Sequence, residues 1–175
     1  SSDHVREKDG IWAVLTWLNI LAVRKRSVQD IMTDHWQSYG RNYYARHDYE
    51  AIAVEKAQAV MAHVTAQLDT LPGKVFGNET VKFADSFTYH DPIDGSTSEN
   101  QGLRVGFESG SRFALRLSGT GTVGATLRLY LERYETRPDH LAIDNHEALS
   151  EIVKIANQIA TITDLTGETA PTLIS

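Results

Sequence analysis

The sequence predicts an α+β fold, with helices covering one face of an antiparallel sheet. Three observations lead there. Apolar residues recur at three- and four-residue spacing through residues 9–39 and again through about 50–68. Beyond Pro72-Gly73 the period changes to two and stays so as far as Tyr134. An amphipathic segment then closes the chain, so the strands form one run between helical segments instead of alternating with them.

Taken in order, "DGIWAVLTWLNILAVR" sets Ile11, Val14, Leu15, Leu18, Leu21 and Ala22 on one helical face. Trp12 and Trp17 widen that face, which predicts a helix buried on more than one side. Ser27 is a good N-cap for a second helix, "VQDIMTDHWQSYG", which Gly40 ends. "RNYYARHDYE" is short, aromatic and polar and reads as an extended connector. A third helix is expected over 50–68, with Ala53, Ala57, Val60, Met61 and Val64 on its face and Pro72-Gly73 as its stop. Four strand candidates follow: Val81–His90, Leu103–Glu108, Ser111–Leu117 and Ala125–Tyr134. Ser109-Gly110 signals a tight hairpin between the second and third. His146–Thr163, with Leu149, Ile152, Val153, Ala156 and Ile159, makes the closing helix, and "DLTGETAPTLIS" reads as a tail. The first forty residues have no obvious place on this sheet. A strongly apolar helix so early in the chain needs a sheet of its own, which predicts that the chain is a fragment.

Composition narrows function. Among 175 residues, 17 Lys and Arg stand against 23 Asp and Glu, a net charge of −6, and the basic residues are scattered. That argues against a nucleic-acid footprint and requires any anionic ligand to find a local arginine site. The absence of cysteine excludes disulfides, thiolate catalysis and sulfur-built zinc sites, and suits the cytoplasm. The run Ile11 to Val23 is interrupted by Thr16 and Asn19 and is too short to span a bilayer, so no membrane partner is expected.

The most informative stretch is "RLSGTGTVGATLRLYLERYE". Its glycines Gly119, Gly121 and Gly124 let the backbone turn tightly and let a ligand approach the main chain. Consecutive amides in such a turn form an anion-binding concavity, to which Ser118, Thr120 and Thr122 add hydroxyls. Strand alternation places Phe113, Leu115 and Leu117 on one face and Arg116 with Ser118 on the other. In the next strand Leu127, Leu129 and Leu131 repeat the pattern and leave Arg128 opposite the core. Two guanidinium forks flanking a donor-rich loop suit a phosphate monoester better than an ordinary turn with solvated arginines would. No Gly-Lys-Ser or Gly-Lys-Thr follows, so it is no Walker loop. A strand comes next, not a helix, so it is no dinucleotide fingerprint.

These residues, together with "DPIDGSTSENQGLRVGFESGSRFALRLSG", "SDHVREKDGIWAVLTWLNILAVRK" and "DHWQSYGRNYY", closely resemble the C-terminal part of the phosphoglucomutases, of the α-D-phosphohexomutase superfamily. The resemblance runs from the first residues to "TGETAPTLIS" in long ungapped stretches. It implies that residues 1–40 are the last helices of a third, α/β domain with the hinge after it. Residues 41–175 would then be the fourth, phosphate-binding domain, a four-stranded sheet of the TATA-box-binding-protein-like kind.

The resemblance also implies a chemistry. In that family a phosphoserine of another domain exchanges its phosphoryl group with glucose 1-phosphate or glucose 6-phosphate through glucose 1,6-bisphosphate, with Mg2+ as cofactor. The fourth domain's loop holds whichever phosphate is not reacting. Carried onto this sequence, Arg116, Ser118, Gly119, Thr120, Gly121, Thr122 and Arg128 form that cradle, and Val123 sits where relatives often carry a small residue. Lys8, in "REKDG", matches a lysine that assists proton transfer or contacts the phosphosugar. Such a role needs a depressed lysine pKa, and Arg6 is close in sequence. No Thr-Ala-Ser-His stretch and no Asp-Gly-Asp-like magnesium loop occurs, so these residues alone are expected to be catalytically silent and to depend on the enzyme's remaining domains. A stand-alone phosphosugar-binding module, or a non-catalytic signalling or scaffold relative, is the alternative.

Other features are weaker. "DPIDG" lacks the alternating ligands and distant glutamate of a calcium loop and reads as a turn. The histidines form no ligand pair on a face, and Trp12, Trp17 and Trp36 are spaced as core residues.

Overall fold

The computed structural model describes residues 8–121 and 124–175. The chain divides into two compact units, 1–41 with 136–141, and 42–135 with 142–175.

In the first unit α1 (Gly10–Arg24) starts where Asp9 accepts from the Trp12 amide at 2.9 Å and stops where Lys25 turns left-handed, at φ 52°. Ser27 caps α2 (Val28–Tyr39) by accepting from the Asp30 amide at 3.1 Å, as its position predicts, and Gly40 ends it. Arg26 pairs with Asp34, and the Arg41 guanidinium lies 4.1 Å over the Trp36 ring while donating to the Leu141 carbonyl. No residue of either helix is buried, and Ile11 is 74% exposed. The burial expected for α1 is therefore not realised. Its unit holds, among the described residues, two helices and a one-turn 3-10 helix at Pro138–His140, with no sheet to receive the stripe of Ile11, Val14, Leu15 and Leu18.

The second unit is α+β, helices packed on an antiparallel sheet. Its elements are β1 (Arg41–Ile52), α3 (Val54–Thr65), β2 (Val75–Phe76), β3 (Glu79–Ser86), β4 (Tyr89–His90), β5 (Thr97–Ser98), β6 (Leu103–Phe107), β7 (Arg112–Gly121), β8 (Gly124–Glu135), α4 (Asn145–Ala160), α5 (Ile162–Thr166) and β9 (Leu173–Ile174). The main sheet has the order β2-β3-β6-β7-β8-β1-β9, and β4 and β5 form a separate hairpin. Three of the four expected strands lie together at its centre as β6, β7 and β8, and the fourth, expected over Val81–His90, joins them as β3 only as far as Ser86, its end Tyr89–His90 pairing instead with β5. Gly110, at φ 88°, turns β6 into β7 at the predicted hairpin, its amide donating to the Phe107 carbonyl.

The sheet has seven strands, not four, and the reasons are local. "RNYYARHDYE" is a strand, not a connector. Tyr43, His47 and Tyr49 alternate into the core, but Asp48 on the opposite face is also buried, which blurs the period-two signature. The alternation then breaks at Ala51, whose φ of 57° turns Ile52 inward as well. The tail docks as β9 on the outer side of β1, with Thr172 donating to the Asp48 carbonyl and Arg46 and Ser175 exchanging backbone bonds. Two-residue strands such as β2 and β9 are held by their partner's edge and leave no periodicity to read. The closing helix is likewise divided, because Thr161 adopts a left-handed conformation at φ 47°.

The core lies between the sheet and its helices. Phe113, Leu115, Leu127, Leu129 and Leu131 from β7 and β8 meet Ala57, Val60 and Val64 of α3 and Leu149, Ile152 and Ala156 of α4. Removing Leu129, 0% exposed, should therefore cost about 3 kcal/mol in a Leu129→Ala variant, read as a lower urea midpoint with an unchanged slope.

His47 adds a pH dependence. It is 7% exposed, and its Nδ1 is buried without a hydrogen-bond partner. Burial, and secondarily the nearby His146, pushes its pKa below the usual 6.5. The unfolded chain then binds the proton more readily than the folded one. The stabilisation is complete above 6.5 and declines as pH falls below it. Urea unfolding of wild type should show a steeper loss of stability between about pH 7 and about pH 5.5 than His47→Gln does.

Candidate anion-binding site

Strands β7 and β8 pair in register from Arg112↔Glu132 to Ser118↔Thr126, with Leu115↔Leu129 and Leu117↔Leu127 between. That register sets Arg116 directly opposite Arg128 on the face turned away from the core. Like charges directly across a strand pair repel. Among the described residues no carboxylate pairs with Arg116, so its side of the pair stays open to an anion. Beyond Ser118 the register shifts, and it resumes at Gly121↔Gly124. The shift marks a bulge, in which Gly119 takes φ +63° with open space where a side chain would stand. A ligand can thus approach the Gly119 main chain. The returning strand is fixed from the other side: a Cβ on Gly124 would lie 2.9 Å from the Ile52 carbonyl oxygen, so the end of β1 presses on the hairpin.

Arg128 is placed by β1. Its Nε lies 3.8 Å from Asp48 Oδ2, and Asp48 Oδ1 accepts from Arg46 Nε at 2.9 Å. The Arg116 stem lies against Gly102, the residue before β6. Its Cγ would be 2.9 Å from a Cβ on Gly102, which has φ +152° and would also strike the Leu115 carbonyl oxygen at 2.9 Å. Gly102 and Asp48 were not singled out in the sequence. Gly102 precedes β6 without a motif, and Asp48 becomes visible only once "RNYYARHDYE" is read as a strand with Arg46 and Asp48 on one face.

The structure brings Arg116, Ser118, Gly119 and Arg128 together around the hairpin. Thr120 and Gly121 continue β7. Thr122 lies outside the described residues, as does Val123. Lys8 belongs to the first unit, exposed, one residue before the helix cap Asp9.

A groove of about 510 Å³ on the same outer face, walled by Tyr44, Tyr130, Arg46, Arg104 and Arg112, is a poorer anion site despite its three arginines. Each of them is already neutralised: Arg104 by Asp85 at 2.6 and 2.8 Å, Arg112 by Glu132 at 2.6 Å and Arg46 by Asp48 at 2.9 Å. At the hairpin Arg116 has no acid partner among the described residues, and Arg128 only shares Asp48 with Arg46, at 3.8 Å. Among the described residues no group of three or more histidines or acids could hold a metal ion. No described helix is long and apolar enough to cross a membrane.

Comparison with known proteins identifies the class first. Residues 1–39 match the family model of the α/β/α domain III of phosphoglucomutases and phosphomannomutases, enzymes named for moving phosphate on sugars. Residues 41–172 match the model of the phosphoglucomutase-1 C-terminal domain, and the chain belongs to the phosphoglucomutase family. It is 55% identical over 174 residues to a phosphoglucomutase of Rhizobium radiobacter and 49% identical over 180 residues to phosphoglucomutase-1 of Homo sapiens, with 99% of this chain and 32% of each relative covered. A cytoplasmic phosphoglucomutase of Pisum sativum is 46% identical over 192 residues. The open form of the exocytosis-sensitive phosphoprotein pp63/parafusin, a phosphoglucomutase from Paramecium, superposes with a TM-score of 0.86 at 41% identity, covering 100% of this chain and 31% of that one. The chain thus spans about a third of the length of these relatives, and the resemblance read from its residues is borne out.

If Gly102 seats Arg116, Gly102→Ala should lose about 2 kcal/mol of stability and shift the Gly119 amide signal across the hairpin, measured by urea unfolding and amide NMR.

Proposed function

We propose that this chain is the phosphate-holding C-terminal part of a phosphoglucomutase that interconverts glucose 1-phosphate and glucose 6-phosphate through glucose 1,6-bisphosphate. The observation that carries this reading is the opposed pair Arg116 and Arg128 beside the open, left-handed Gly119. Two forks of fixed geometry and a bared stretch of main chain suit a phosphate monoester and have little use for an uncharged sugar. The cradle comprises Arg116, Ser118, Gly119, Thr120, Gly121, Thr122 and Arg128. Such a site need only hold the unreactive phosphate of either isomer and then release it. Lys8 acts at the reacting end, where it contacts the sugar phosphate or moves a proton. Residues 1–40 are the last helices of the third domain and its hinge, and residues 41–175 are the fourth domain. The phosphoserine and the Mg2+ site belong to the remaining domains. The working compartment is the cytoplasm, with neither nucleic acid nor membrane as partner, and the 175 residues alone turn over no substrate.

A second reading, a phosphosugar-binding or signalling relative without catalysis, has one observation in its favour: the Paramecium relative is named both an exocytosis-sensitive phosphoprotein and a phosphoglucomutase.

Amide NMR of this chain titrated with glucose 1-phosphate and with glucose 6-phosphate tests the proposal. Both should shift the Gly119 amide, and Arg116→Ala should weaken each by about tenfold or more. A folded wild-type chain that responds to neither overturns the assignment of the hairpin to phosphate.

A further inference from the structure

The pair Arg116 and Arg128 raises a difficulty that β1 resolves. Two cations directly opposite on neighbouring strands push apart, and among the described residues of β7 and β8 no acid pairs with either of them. Asp48 supplies a direction. Its side chain is 3% exposed, a costly position for a carboxylate unless cations compensate it. Arg46 does so from one side with a 2.9 Å hydrogen bond. Arg128 approaches the other oxygen to 3.8 Å, within ion-pair range but beyond hydrogen-bond reach. The Arg128 Nε is buried there with no hydrogen-bond partner. No described residue accepts from its two terminal nitrogens, which leaves them to an incoming anion.

We propose that Asp48, itself held by Arg46, is the positioning residue of the cradle. It draws the Arg128 guanidinium toward β1 and away from Arg116, and so keeps open between the two forks the gap that a phosphate group fills. The inference rests on the phosphate reading above and adds a residue that touches no ligand. Its sign distinguishes it from plain electrostatics. Asp48 is a negative charge beside an anion site, so its removal should by charge alone tighten phosphate binding. Removal of a positioning residue should weaken it.

Two measurements on the full 175-residue chain test this. The first needs no substitution and no ligand: the Nε–H proton of Arg128 in the free wild type should give its own slowly exchanging NMR signal. Averaging of that signal with those of exposed arginines would overturn the anchoring, whatever the chain binds. The second compares glucose 1-phosphate titrations of wild type and Asp48→Asn, with core methyl spectra to check the fold. The expected result is affinity about tenfold lower, the scale at which loss of an orienting partner weakens a ligand site. Unchanged or tighter binding by folded Asp48→Asn overturns the positioning role and leaves the phosphate cradle standing. Absence of any response in wild type overturns both. Should Asp48→Asn fail to fold, Asp48→Glu, which keeps the charge and moves it by one methylene, should still bind more weakly, whereas affinity equal to wild type would overturn the proposal.

Discussion

The antiparallel pairing of β7 with β8 is the interaction on which the rest of the second unit depends. The pleat sends Leu115, Leu127 and Leu129 inward to α3 and α4, and by the same geometry it sends Arg116 and Arg128 outward to face each other. Core and candidate site are two sides of one ladder. Burial of the leucines fixes the register, and the register sets two like charges face to face. A stable fold thus holds two arginines at directly opposed positions on neighbouring strands.

The neighbouring strands turn that opposition into a shaped site. On one side Gly102 offers a flat seat for the stem of Arg116. On the other, β1 brings a buried carboxylate to Arg128 and, at Ala51 and Ile52, presses against Gly124. The outer face of the sheet also carries Arg46, Arg104 and Arg112, yet each is paired with an acid, so the face as a whole does not attract anions indiscriminately.

Much of this was legible in the sequence, and what was not has physical causes. The central strands and the hairpin at Gly110 announced themselves because one face is buried and the other wet, which writes a clean alternation. The glycines between Arg116 and Arg128 were legible as a break in the alternation, which Gly119 takes up as a bulge within β7. β1 was hidden because His47 and Asp48, adjacent and on opposite faces, are both buried, and because Ala51 interrupts the pleat. β9 was hidden because a strand of two residues has no period. Asp48 and Gly102 share this origin: their roles come from neighbours distant in the chain, and no local motif records them. The stripe on α1 was read correctly as apolar, but a sequence states which face seeks cover and not whether cover is at hand.

The shift of register between Ser118 and Gly121 works as an expansion joint. A single residue gained or lost beyond Ser118 leaves the ladder behind it, with Arg116 and Arg128 opposed, in register. The same change between Arg112 and Leu117 would exchange the two faces of the strand on one side of the cut, turning arginine into the core and leucine into water. A change of length beyond Ser118 therefore spares the spacing of the two cations, whereas one before it does not.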